Sequence, residues 1–247
     1  MVEPHDLFTQ PDNKKTKIWR YMDFTKFISL LDTKSLFFTR ADKFDDPFEG
    51  SYPLKNVLAR KHPPFGTPLT SGSPKTSPNY KIWPRYVAIN CWHENEHESA
   101  AMWKLYLKSS EGIAIQSTFL KLIKSIRTKD DVYIGRVSYI DYEKAKLNEG
   151  NIFTPFIHKR KSFEHEKEIR AVIVKFPADK EEDSLDFSRV TIGDGLGIDV
   201  NLKILIQAIY VAPGTPKWFM ELISSVTSVY GYNFKIIQSK MDDGPLF

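Results

Sequence analysis

The apolar residues of this chain come in short runs, each followed by a polar turn or a brief amphipathic stretch, and that spacing rules out most architectures. Residues 17–21 (KIWRY), 35–40 (SLFFTR), 86–92, 113–116 (IAIQ), 133–142, 169–176 (IRAVIVKF), 208–212 and 234–238 read as strands, rich in β-branched and aromatic side chains. Between them, residues 24–31 read as a helix with Phe24, Phe27, Ile28 and Leu31 on one face and Asp23 as its N-cap. Residues 98–107, 119–126 and a stretch near 153–168 also read as helical. A last helix is expected after Thr215, as cap, with Pro216 at its first position. Short strands mixed with about five helices predict an α+β fold, a single domain over residues 1–247 built on a mixed sheet. No apolar run approaches the roughly 20 residues needed to cross a bilayer.

Composition adds a few bounds. A 247-residue chain that is 41% hydrophobic and 27% charged can bury a proper core. Thirty-five Lys and Arg against 31 Asp and Glu give +4, which permits an anionic partner without requiring one. The start, MVEPHDLFTQ, lacks the basic and then apolar pattern of a secretory signal, and the one cysteine, Cys91, sits in an apolar run. Both features suit a cytoplasmic protein with a small buried thiol. Residues 61–79, crowded with Pro, Ser, Thr and Gly, read as a flexible loop within the domain.

Two local patterns look like site motifs and fail on context. His93-Glu94-Asn95-Glu96-His97 matches the HExxH of zinc proteases, which needs both histidines on one helical face. Here His93 follows a strand directly, while Asn95 and Glu98 read as an N-cap with its capping-box partner, leaving His97 in the first turn. No metal is therefore expected. Residues 193–197 (GDGLG) resemble a nucleotide-binding glycine loop, yet they precede a strand instead of opening a helix, so a surface turn is expected.

The more informative residues are dispersed. Arg20 and Tyr21 end the first strand, and Thr39 and Arg40 end the second, ahead of Phe44-Asp45-Asp46-Pro47-Phe48-Glu49. Trp103 and Tyr106 lie on the central helix. Lys159, Phe163, Glu166, Glu168 and Arg170 mark the passage into an apolar strand. The alternating charges of HKRKSFEHEKEIR are also what a solvated helix end would carry.

The segments WRYMDFTKFISLL, FFTRADKFDDPFEG, CWHENE, MWKLY with SSEGIAIQ, and HKRKSFEHEKEIR resemble the bacterial family catalogued as domain of unknown function 2971. That resemblance spans most of the chain and implies a bacterial, cytoplasmic setting often suspected in phage defence or toxin systems. At the level of layout, the chain is also similar to ADP-ribosyltransferases. It shares an arginine on the first strand, a helix packing back, a second strand ending in Thr-Arg and a late E-x-E at a strand start. The middle Ser-Thr-Ser element of that superfamily is missing, with only Thr39 to stand in.

The second resemblance implies an enzyme that uses NAD as substrate. Glu168 would stabilise positive charge building on the nicotinamide ribose, and Glu166 would orient the acceptor. Arg20 and Arg40 would hold phosphate through their guanidinium forks, with Thr39 beside them. Tyr21, Trp103 and Tyr106 would line the pocket. The acceptor would be a nucleic acid or a protein, and a neutralising antitoxin would be a natural partner. Two other readings remain open on the residues alone. Asp45, Asp46, Glu166 and Glu168 could serve a metal-dependent nuclease or phosphodiesterase, or the charged motifs could be ion pairs of a non-catalytic domain. On the transferase reading, Glu168→Gln is expected to remove activity and leave the fold intact.

Overall fold

The computed structural model describes residues 1–61, 81–106, 111–177 and 189–245; the expected loop at 61–79 lies almost wholly outside them. After β1 (Val2–Glu3), the first long strand is β2 (Lys17–Asp23), two residues longer than its apolar core suggested. Asp23 ends it and caps α1 (Phe24–Thr33), its carboxylate accepting from the Lys26 N–H at 2.8 Å. The helix buries Phe27, Leu30 and Leu31 and stops at Lys34, which turns left-handed at φ 53 and donates its N–H to Leu30 O. This tight exit returns the chain as β3 (Ser35–Arg40).

After α2 (Leu54–Lys61), the strand β4 (Val87–Glu94) crosses the middle of the sheet. It is buried on both faces along nearly its whole length, so it reads as one apolar run with no alternation. Next come α3 (Ala100–Tyr106), β5 (Gly112–Thr118) and α4 (Phe119–Ser125). The expected strand 133–142 is two strands, β6 (Val132–Arg136) and β7 (Ser138–Ile140). The expected helix near 153–168 is instead a short strand, β8 (His158–Arg160), between 3-10 turns at Thr154–Phe156 and Lys161–Glu166. Phe153, Phe156 and Ile157 are buried, but the apolar spacing stops at Ile157, and Pro155 lacks the backbone N–H a helix would need. Then follow β9 (Glu168–Val174), β10 (Gly195–Asp199), α5 (Leu202–Leu205), β11 (Ala208–Val211), α6 (Lys217–Val229) and β12 (Ile236–Gln238). Pro216, not Thr215, is the N-cap of α6; the Thr215 hydroxyl bonds Ala212 O instead.

The main sheet is mixed, in the order β1-β6-β9-β4-β2-β5-β11-β12, with β3 and β10 attached to the side of β4. Residues 193–197 are not a free surface turn. Gly195 starts β10 opposite Thr39, where any Cβ would run into the Phe38 carbonyl.

One feature of this sheet creates a cavity. Along one edge β4 pairs continuously with β9, from Val87↔Val174 to His93↔Glu168. Along the other edge it forks: Ala88 and Ile89 pair with Arg40 and Thr39 of β3, while His93 and Glu94 pair with Trp19 and Ile18 of β2. At the fork, Asn90 reaches Phe37 O through its side-chain amide at 2.8 Å, and the Cys91 carbonyl accepts from Arg20 at 2.9 Å. Side chains thus replace strand pairing where β2 and β3 diverge.

Candidate functional site

A cleft of about 560 Å³ opens at the fork, a size suited to a small organic ligand. Arg20, Tyr21, Thr39, Tyr106, Glu166 and Glu168 all line it, from five different elements of the chain.

Arg20 stands out by what it lacks. Its guanidinium bonds the Cys91 carbonyl and has no carboxylate partner among the described residues. Burial pushes it below its ordinary value, with Cys91 and Tyr106 as its titratable neighbours. A desolvated cation without a counter-ion is unfavourable until an anion arrives. Tyr21 and Tyr106 form an aromatic wall beside it, their rings stacked at 6.4 Å and 27°.

The carboxyl groups lie in a buried ionic cluster. Glu168 Oε1 accepts from Lys159 Nζ at 2.7 Å and Oε2 from Arg170 Nε at 2.6 Å. Its backbone N–H donates to the Tyr139 hydroxyl. Burial alone would raise this carboxyl, but Arg170, Glu166 and Lys159 hold it well below the usual carboxylate range. Glu166 behaves oppositely: burial and the neighbouring Glu168 push it up to about 7, against the pull of Lys159. Lys159 bonds Glu166 as well as Glu168, so both carboxyl groups lie against one ammonium. Arg170, fully buried, turns its other nitrogens to Glu49 at 2.7 and 2.8 Å and to Phe156 O at 2.6 Å.

This cluster changes one expectation. Replacing Glu168 by glutamine would leave Lys159 and Arg170 short of a buried counter-charge, so the fold is not expected to tolerate it well. An acid and a base two residues apart on β9 share a face, and in an otherwise apolar strand that spacing is the one sequence signal of the buried pair.

Arg40 and Trp103 do not join the cleft lining. Arg40 is bound by Asp42 at 2.5 Å and by the carbonyls of Ile192 and Gly193. Trp103 lies behind Tyr21, edge to face at 4.9 Å, with its indole N–H on Glu98. That contact occupies Glu98, so no capping box forms with Asn95; α3 starts at Ala100, after Ser99.

The HExxH residues also separate. His97 is exposed in the loop before α3, and Glu94 is paired with Arg136 at 2.6 Å. His93 is buried at the end of β4, its Nδ1 donating to Glu166 O at 2.6 Å, while Nε2 has no partner. Burial keeps its imidazole below the ordinary value and therefore neutral at pH 7. Cys91 lines the cleft beside it, its thiol pushed well above the usual range by burial. Asp45 also lines the cleft, but Asp46 is held by Arg160 at 2.8 Å. Among the described residues, no three His, Cys, Asp or Glu side chains are grouped to hold a metal ion, so the four carboxylates of the nuclease reading do not form one ligand set. No described helix is long and apolar enough to cross a membrane.

Fold and site together define a mixed-sheet α+β protein with a polar, aromatic-walled cleft at a fork in the sheet. No family model and no curated protein matches the chain. Among solved structures it is similar to the DarT of Thermus sp. 2.9 in complex with ADP-ribosylated ssDNA. The alignment covers 94% of this chain and 97% of that one, at 9% identity and a TM-score of 0.40. A likeness of that size carries no functional argument.

Proposed function

We propose that the cleft binds NAD and that the protein transfers ADP-ribose from it to a nucleic-acid or protein acceptor. The observation that carries the reading is Arg20, a desolvated guanidinium without a carboxylate, in the same cleft as the Glu166–Glu168 pair. A ligand that satisfies both must bring an anion at one end and a site of growing positive charge at the other. A dinucleotide pyrophosphate bonded to a ribose whose C1′–N bond is breaking meets that demand.

In this scheme the guanidinium of Arg20 takes phosphate oxygens with the N–H groups that Cys91 O leaves free. Tyr21 and Tyr106 offer ring faces to a flat heterocycle, and Thr39 offers a hydroxyl. As the C1′–N bond breaks, its electrons leave with neutral nicotinamide and C1′ becomes positive. The carboxyl pair faces that charge in a site of low dielectric, where a fixed anion stabilises it most. The acceptor then bonds C1′ and gives up its proton. Arg40 and Trp103 act from behind the lining, by holding β3 and Tyr21 in place.

The test is nicotinamide release from NAD by the purified protein, with Arg20→Met alongside. Wild-type protein should release nicotinamide, and Arg20→Met should lose at least about a hundredfold in kcat/KM, the scale for a positioned charged group. No release by a folded wild-type protein, with or without added nucleic acid or protein extract, would sink the reading.

A further inference from the structure

Lys159 is buried, yet its ammonium meets two carboxyl groups at once, Glu168 at 2.7 Å and Glu166. With Glu49 on Arg170 the cluster holds three carboxyl groups around two cations, so full ionisation would leave one negative charge unbalanced. Glu168 already accepts from Lys159 and Arg170, so it is the better site for the negative charge. The Glu166 carboxyl bonds only the ammonium, and it is the one on which a proton costs least.

We propose that Glu166 and Glu168 hold one proton between them, carried by Glu166, and that Lys159 is the positioning residue that keeps this proton dissociable. The charges in the cluster support this. With Glu166 protonated, Lys159 and Arg170 are balanced by Glu168 and Glu49. A second negative charge can then form at Glu166 only because Lys159 lies against it. Without Lys159, an ionised Glu166 would face Glu168 with no cation at hydrogen-bonding distance.

The other groups around Glu166 do not take over this role. His93 on β4 is neutral and bonds the Glu166 backbone carbonyl, not its carboxyl. Tyr139 on β7 and Tyr106 on α3 are both raised by burial and stay protonated, and the Cys91 thiol does as well. Arg170 is turned to Glu168 and Glu49, while His165 and Lys167 flank the turn beside His93. Lys159 is thus the one cation bonded to the carboxyl of Glu166 among the described residues.

Under the NAD reading, on which this use of the proton rests, an ionised Glu166 can take the proton of an O–H or N–H acceptor as its oxygen or nitrogen bonds C1′. A protonated Glu166 cannot. Transfer should therefore rise with pH as Glu166 ionises.

The shared proton is tested without any substrate, by carbon NMR titration of protein labelled at the glutamate carboxyls, with Glu166→Gln assigning the signal. Wild type should show one glutamate titrating near neutral pH, absent in E166Q. Lys159→Met should move that midpoint upward by about one unit or more, roughly a tenfold gain in proton affinity, and Lys159→Arg should hold it near the wild-type position. A wild-type titration with Glu166 at an ordinary carboxylate midpoint overturns the proposal, as does a Lys159→Met midpoint equal to wild type. Should Lys159→Met fail to fold, the wild-type and E166Q titrations decide the shared proton, and a Lys159→Arg midpoint shifted upward as far as about one unit counts against Lys159. Absence of nicotinamide release by wild type would remove the NAD reading and leave these titrations standing.

Discussion

The carboxylate of Glu49 closes a two-pronged pair on the guanidinium of Arg170, at 2.7 and 2.8 Å, across 121 positions of sequence. Both side chains are almost fully buried, at 2% and 1% of their surface. The pair pins the DDPFEG segment against the start of β9, and Asp46 with Arg160 adds a second tie beside it. Two charged motifs that look independent along the chain are one structural unit.

Glu49→Gln should therefore be strongly destabilising. Arg170 would keep Glu168 and the Phe156 carbonyl but lose half of its buried counter-charge. Breaking a buried pair from one side costs about 3–5 kcal/mol. Denaturant unfolding of the variant and wild type measures it; a loss below about 1 kcal/mol would mean that the pair is far better solvated than its geometry implies.

Gly50→Ala should destabilise for a different reason. Gly50 has φ 71, and an added Cβ would stand 2.5 Å from Phe156 Cε1, a buried ring. Left-handed backbone costs a non-glycine residue about 1–2 kcal/mol, and overpacking adds about 1–3 kcal/mol. A thermal melt reads the sum, and an unchanged midpoint would contradict this account of the turn.

Arg40→Ala and Arg20→Ala should part company. Arg40 is committed to Asp42 and two backbone carbonyls, so its loss should reduce stability by about 1–3 kcal/mol and leave NAD affinity unchanged. Arg20 has no carboxylate to abandon, so its loss should weaken NAD binding while costing little stability. Calorimetric titration with NAD beside a melt of each variant checks both arms, and equal affinity losses would refute the division.

Glu166 should also leave a mark on stability versus pH. Its folded-state value, raised to about 7, lies above the unfolded value of about 4.3, so the native state binds the extra proton between them. That contribution is fully present below about pH 4.3 and is lost as pH rises through about 7. Relative to Glu166→Gln, wild type should thus lose stability over that interval. Parallel denaturant curves from pH 4 to 8 test the sign, and a constant difference would rule it out.

Several elements were legible before the fold was known, each because its signal is local. β3 falls on residues 35–40 as read, since SLFFTR carries its own strand propensity. Asp23 caps α1 because the bond to the Lys26 N–H spans only three residues. Thr39, Tyr106, Glu166 and Glu168 stand at element ends, where a cleft collects side chains, whereas Arg20 and Tyr21 reach it from the middle of β2 at the fork. Arg40 and Trp103 carried the same signal and are used elsewhere, because chemistry type does not tell which way a residue at a strand end or on a helix turns. The stretch 153–168 misled for a related reason: alternating charge suits a solvated helix, but here Arg160 pairs with distant Asp46 and Lys159 turns inward to Glu166 and Glu168.

The sequence by itself determined that this chain would build short strands and helices around a mixed sheet, because propensity, capping and apolar spacing act over a few residues. It did not determine that β2 and β3 would share one edge of β4. Backbone hydrogen bonding is indifferent to side-chain identity, so strand partners are chosen by the packing of the whole core. That choice alone opens the fork, leaves the Cys91 carbonyl for Arg20, and sets Glu168 opposite His93. It also brings Glu49 to Arg170, and only the tertiary structure could decide that the conspicuous charges are a buried network with one end in a cleft.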